Sequence, residues 1–264
     1  MAEPAPQTPA VQHLVVRYAK RGKMRFASHR DVARAFERGV RRAGLPIAYS
    51  AGFSPHPKIS YAGGAPTGVA SEAEYLSLAL TARQAAADVC QRLGAALPDG
   101  IDVIDVTEDA PGGPGGSSRR DNSFGHLEAS QWRMVLPGVS SVAAQRAVAS
   151  FLTLGEAPVE RLTDKGVRRL DARAAVVEMN VLEPDEITAD PDGGHRAAAT
   201  GHEDCAIIRM VVLHTAPAVR PEDVLTALRD REGIMPSSPP LTTRLSQGST
   251  ALLTGKTLLA GDGS

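Results

Sequence analysis

The sequence predicts an α+β fold in two tandem units, and three observations predict it. Apolar periodicity over the first 108 residues switches in the order strand, helix, strand, strand, helix, strand. A stretch rich in Pro, Gly and Ser, APGGPGGSSRRDNS (110–123), then carries no periodicity at all. Beyond it the same order of elements partly returns. This order is the split βαβ, or ferredoxin-like, arrangement with antiparallel sheets, and its second copy is irregular. The expected division is a disordered tail at 1–11, a first unit at 12–108 and a linker at 109–127. A second unit follows at 128–248, with a disordered insertion at 183–204, and a loose tail at 249–264.

The first unit opens with HLVVRY (13–18), a strand with Leu14 and Val16 on one face. Ser28, three residues before Asp31, has the spacing of a capping box at the start of a helix. Val32, Ala35, Phe36 and Val40 form its apolar stripe, and Gly44 with Pro46 ends it. Strands are expected at Ile47–Ser50 and Lys58–Tyr61, broken by Gly52 and two prolines, then at Glu74–Leu80. Ala82–Leu97 reads as an amphipathic helix with Val89, Leu93 and Leu97 on one face and Cys90 beside them. IDVIDV (101–106) reads as a half-buried closing strand.

In the second unit Gln131–Leu136 reads as a strand and Val142–Leu154 as a helix with Val142, Ala149 and Leu152 apolar. Val159–Ala172 reads as a hairpin turning at Asp164-Lys165-Gly166. Ala174–Leu182 is apolar and fits either helix or strand, whereas CAIIRMVVL (205–213) is plainly a strand. Pro221, followed by Glu222 and Asp223, starts a helix to Arg231. Residues 241–247 close the unit as a strand.

Bulk composition narrows the class. Hydrophobic residues make up 42% of the chain but aromatics only 4%, so the core is built of Ala, Val and Leu. Cys90 and Cys205 stand far apart in apolar runs, which argues for reduced, buried thiols in a cytoplasmic protein rather than a disulfide framework. The N-terminal MAEPAPQTPAVQ lacks the charged and apolar regions of a signal peptide. No apolar run approaches the roughly 18 residues of a membrane span, so no membrane partner is expected.

Charge is the informative feature. The chain carries a net −1, yet ten basic side chains lie between Arg17 and Arg42 with only Asp31 and Glu37 among them, ten minus two leaving +8. Arg30, Arg34, Arg38 and Arg41 follow one another at helical spacing and stack along one face, which opposes helix stability and so asks for an anionic partner. Arginine's planar fork matches phosphate, and the helix start at Ser28–Arg30 offers free N–H groups. Phe26, Tyr49, Phe53 and Tyr61 interleave with the charge, and rings are what single-stranded bases stack on. His56 is held between Pro55 and Pro57. The expected nucleic-acid contacts are Lys23, Arg25, Ser28, His29, Arg34, Arg38, Arg41, Arg42, Tyr49, Phe53, His56 and Lys58.

Other chemistries fit less well. His29, Asp31 and His56 share no regular metal-ligand spacing, there is no phosphate-binding glycine motif, and two cysteines do not make an iron–sulfur ligand set. No catalytic residue is assigned on the favoured reading; the alternative is a metal-independent ribonuclease with His29 or His56 as general acid or base.

The run Lys23–Leu78 carries Ser28-His29-x-Asp31, Arg41-Arg42-x-Gly44-Leu45-Pro46, Gly52-Phe53-x-Pro55-His56-Pro57 and Gly68. It resembles the radical-SAM-linked family of uncharacterised proteins, whose members stand alone or form the C-terminal part of cobalamin-binding radical SAM proteins. The resemblance continues through Asp164-Lys165-Gly166, Asp171-x-Arg173 and Thr243-Arg244. It departs at Gly63-Gly64-Ala65-Pro66, where a proline–proline–leucine stretch is common, and at the 183–204 insertion. The resemblance implies a radical SAM protein as partner, with the iron–sulfur cluster and SAM on that partner and no cofactor on this chain. Combined with the basic face, it gives the expectation of an accessory RNA-binding protein in tRNA or rRNA modification. A protein-interaction subunit docking on the partner is a further alternative.

Overall fold

The computed structural model describes residues 9–109, 124, 126–164, 166–182 and 204–255. Residues 1–8 of the expected tail at 1–11, the core of the linker, Lys165 of the hairpin turn, residues 183–203 of the expected insertion at 183–204 and the last residues from 256 lie outside this set. The chain is a mixed α+β protein with mostly antiparallel sheet pairing and six α-helices among the described residues. It divides into two compact units, Met1–His126 and Leu127–Ser264.

In the first unit the elements are β1 (Gln12–Lys20), α1 (His29–Arg42), β2 (Ile59–Tyr61), β3 (Ala70–Leu80), α2 (Ala86–Ala96) and β4 (Ile101–Glu108), with a 3-10 helix at Gly22–Phe26. β1 lies between β4 and β3, both antiparallel to it. Leu78 pairs with Leu14 of β1 on one side and with Ile59 of β2 on the other, so the order is β4-β1-β3-β2. Leu14, Val16 and Tyr18 alternate inward along β1 and meet Val32, Phe36 and Val40 from α1 and Val89 and Leu93 from α2. Tyr18 and Phe36 meet edge to face at 4.6 Å, which locks helix to sheet.

Two expectations fail here for local reasons. Ile47–Ser50 forms single bridges, Ile47 to Leu80 and Tyr49 to Pro57, instead of a strand. Pro57 has no N–H to extend a ladder. In β4 the alternation breaks: Tyr18 pairs with Val103 but Arg17 with Asp105, which leaves Ile104 as the extra residue of a bulge. Ile104 therefore faces solvent while Ile101 and Val106, on opposite sides of the bulge in sequence parity, are both buried.

The second unit runs β5 (Ala129–Pro137), α3 (Ser141–Leu152), a β6–β7 hairpin (Pro158–Thr163, Gly166–Asp171), α4 (Ala172–Ala175), β8 (Val176–Leu182), β9 (Cys205–Leu213), α5 (Pro221–Glu232), β10 (Leu241–Gly248) and α6 (Thr250–Leu253). Its sheet has the order β10-β5-β9-β8, all antiparallel. The ambiguous 174–182 stretch thus resolves into the end of a helical turn and a strand.

The apolar residues read on α3 are not the ones that form its core face. Val142 is 75% exposed and Ala149 is also exposed, while Ala144, Ala147, Val148 and Phe151 are buried. The second set has the i, i+3, i+4, i+7 spacing and contains the large ring, so it takes the core. The expected loose tail is ordered as far as α6, because Ser249 caps it through Leu252 N–H (3.4 Å) and Glu128 accepts from Thr250 N–H at 3.2 Å. Cys90 and Cys205 are free but only partly buried, short of the full burial expected.

Candidate nucleic-acid interface

α1 begins where the spacing placed it. Ser28 Oγ accepts from Asp31 N–H at 3.2 Å, and the Asp31 carboxylate accepts from Ser28 N–H (3.3 Å) and from the Ser28 hydroxyl (2.6 Å). Those bonds, the hydroxyl first, hold the Asp31 carboxyl below its ordinary pKa. They also place a carboxylate beside the helix start that was read as a phosphate seat.

Behind this cap, Arg30, Arg34, Arg38 and Arg41 are all exposed. At 100° per residue they span a stripe of about 80° opposite the buried Val32, Phe36 and Val40. Arg34, Arg38 and Arg41 make no hydrogen bond or ion pair with the described residues. Arg34 and Arg30 add a small part to the lowering of the Asp31 pKa.

Half of the ten cations are engaged in holding the unit together. Arg21 is held by Glu72, with Nε donating to Oε1 at 2.8 Å and a second contact from Nη2 to Oε2, and reaches Asp102 at 3.0 Å. The carboxylates, Glu72 above all, push its pKa further up. Arg17 donates to the Glu72 carbonyl, Arg25 to the Gly68 carbonyl at 2.8 Å and Arg42 to the Ala96 carbonyl at 3.1 Å. Lys20 is 3% exposed and donates to the carbonyls of Ala65 (3.1 Å) and Pro66 (3.3 Å). Lys23 and the four-arginine stripe remain facing solvent.

The remaining predicted residues are dispersed along the connection from α1 to β2. Tyr49 is half-buried and packs against the first core. Phe53 is 78% exposed on its loop. His56 is exposed and its backbone closes a turn with Ser50, the N–H donating to Oγ at 3.0 Å. Lys58 is half-buried and its N–H donates to the Ala48 carbonyl. His29, the first residue of α1, meets Tyr61 edge to face at 5.2 Å. Burial, and then the negative charge of Glu37, raises the Tyr61 pKa. His29 and His56 share no hydrogen bond or ring contact among the described residues.

Several residues outside the expected contact set are also of interest, and of these only Phe26 carried a local signal, as a ring among the basic residues. Glu74, 4% exposed, accepts from Ala65 N–H at 3.0 Å and with Lys20 fastens the Gly63–Pro66 loop. Phe26 is 67% exposed at the end of the 3-10 helix, with the Arg25 guanidinium 5.8 Å from its ring centre. In the second unit the Arg244 guanidinium lies 4.7 Å from the Trp132 ring, and Ser130 Oγ is 2.7 Å from His214 Nε2. Ser130 is fully buried, so this hydroxyl–imidazole pair is structural. Among the described residues no group of three or more His, Cys, Asp or Glu is placed to hold a metal ion, and no helix is long and apolar enough to cross a membrane.

Residues 13–221 match the family described as "Uncharacterized protein conserved in bacteria (DUF2344)". The chain belongs to this family. The match starts at the second residue of β1, covers the other strands of the first unit and runs on through β9 to the first residue of α5. It agrees with the expectation of an uncharacterised family drawn from the motifs between Lys23 and Leu78. No curated protein matches the chain.

Proposed function

We propose that this protein is an accessory RNA-binding module that recognises a structured RNA for modification by a separate radical SAM enzyme. The observation that carries the reading is the α1 stripe of Arg30, Arg34, Arg38 and Arg41, exposed on a helix whose opposite face is core. Like charges at this spacing each cost a few tenths of a kcal/mol, and a polyanion offsets that cost on binding. Both units are read as ferredoxin-like, since each sheet has the order fourth, first, third, second, counting the hairpin β6–β7 as an insertion. The radical SAM partnership rests on the family resemblance, with the iron–sulfur cluster and SAM belonging to that partner. Co-purification of the two proteins that survives RNase treatment tests that part.

Salt dependence tests the RNA reading. Binding to tRNA or rRNA fragments should weaken steeply with salt, and Arg34→Ala/Arg38→Ala/Arg41→Ala should flatten the logarithmic slope by about 2 to 3. Arg42 is left out of the triple because it fastens α1 to the Ala96 carbonyl. Binding that is absent, or equally salt-sensitive in the triple variant, would sink the reading.

A further inference from the structure

We propose that Phe26 is a stacking platform for an unpaired nucleobase, so that the RNA presents a single-stranded nucleotide beside its phosphate contacts on α1. This rests on the RNA-binding reading above and adds the substrate class.

Phe26 is an unusual residue to leave in water. Aromatics are scarce in this chain, at 4%, and Phe36 and the Tyr18 ring are spent in the core, yet Phe26 stands 67% exposed. It is not on a free loop. Met24 N–H donates to the Arg21 carbonyl and Ala27 N–H to the Met24 carbonyl, so the 3-10 helix is closed on both sides of the ring. Arg25 is fastened twice to Gly68, its N–H side-chain donor Nε reaching the carbonyl and its own carbonyl accepting from Gly68 N–H, each at 2.8 Å. Its guanidinium then lies 5.8 Å from the Phe26 centroid. The ring is thus held with a cation on one side, and a ring so held loses little freedom when a base stacks on it.

The neighbouring charge fits the same nucleotide. In a 3-10 helix side chains at i and i+3 eclipse, which puts exposed Lys23 on the same side as Phe26. Arg30 follows four residues later, at most about 14 Å along the chain. One ring for a base, with Lys23 beside it and Arg30, the first residue of the arginine stripe, four residues on for phosphates, is the combination single-stranded nucleic acid requires. Phe53, though more exposed, has no ring or cation contact among the described residues and lacks this support.

The test uses the full chain, a single-stranded RNA oligonucleotide carrying 2-aminopurine and the duplex of the same sequence, at one salt concentration. The wild type should quench the fluorophore on binding the single strand. Phe26→Ala should lose that quenching and about five- to 150-fold in single-strand affinity, while duplex affinity and the salt slope stay as in the wild type; Phe26→Trp should restore both. If Phe26→Ala binds and quenches like the wild type while the triple arginine variant still loses affinity, the platform is overturned and the RNA reading stands. If neither RNA binds at all, both fall. If Phe26→Ala leaves RNA affinity intact but abolishes a self-association seen by sedimentation, the ring is a protein contact and the proposal is overturned.

Discussion

The Gly100 carbonyl accepts from Arg21 N–H at 2.8 Å, and a Cβ built on Gly100 would stand 2.7 Å from the Arg21 carbonyl oxygen. These two residues approach so closely because Gly100 sits at φ +85°, where a side chain is strained whatever the space. The contact joins the start of β4 to the 3-10 helix and sets Arg21 between Glu72 and Asp102. Gly100→Ala should therefore destabilise the protein by about 2–3 kcal/mol, because both the backbone conformation and a backbone oxygen must shift. Urea unfolding followed by circular dichroism measures it; a change under 0.5 kcal/mol would show that the turn relaxes freely.

Ser28 supplies one half of the capping box, and its loss leaves Asp31 N–H without its side-chain acceptor. Ser28→Ala should cost about 1 kcal/mol. The pH dependence has a defined sign. Asp31 has a folded pKa below its ordinary value, so its contribution is present above that value and lost as pH falls through the folded one. Removing the hydroxyl, the first cause of the shift, should shrink the gap between wild type and variant at low pH. A gap that stays constant from neutral pH into acid contradicts this.

Asp223 is buried at the start of α5 and accepts from Arg161 Nη1 at 2.6 Å and from Arg220 N–H at 2.7 Å. Arg161 also reaches the Ala218 carbonyl at 3.0 Å, which pins the β6–β7 hairpin to the chain before the helix. Arg161→Ala strands the carboxylate and should cost about 3 kcal/mol, well above the effect of Arg169→Ala. The Arg169–Glu160 pair is exposed on both sides and is worth about 0–1 kcal/mol. Equal effects in thermal melts would show that burial does not matter at this pair.

Local spacing made much of this legible. The Ser28–Asp31 box, the Val32–Val40 stripe and the Cys205–Leu213 strand each depend on neighbours within a turn or a short run, and each formed as read. Which arginines face solvent did not follow, since Arg21 finds Glu72 and Asp102 at separations of 51 and 81 residues and Arg42 finds Ala96 at 54. A charge count over 26 residues treats all ten cations alike; the fold takes five of them into its own bonds. The bulge at Ile104 was hidden for a related reason, because it is set by pairing with β1 and not by the β4 sequence. On α3 two helical stripes competed, and Phe151 decided between them through its size.

His214 carries a pH prediction for the second unit. Its Nδ1 lies 2.7 Å from the Leu127 carbonyl, which can only accept, so this nitrogen bears the proton. Nε2 is then the acceptor for the buried Ser130 hydroxyl at 2.7 Å. Burial lowers the His214 pKa, the Leu127 bond works against that, and the Arg244 charge lowers it further. With the folded pKa below the unfolded one, the unfolded chain binds the extra proton first. Stability from this site is complete above the ordinary histidine pKa of about 6.5 and declines as pH falls below it. The melting temperature should therefore fall between pH 7 and pH 5 more steeply in the wild type than in His214→Gln. Ser130→Ala should cost about 1 kcal/mol at pH 7 through the lost hydrogen bond. Parallel pH profiles for wild type and His214→Gln would show that another group sets the acid limb.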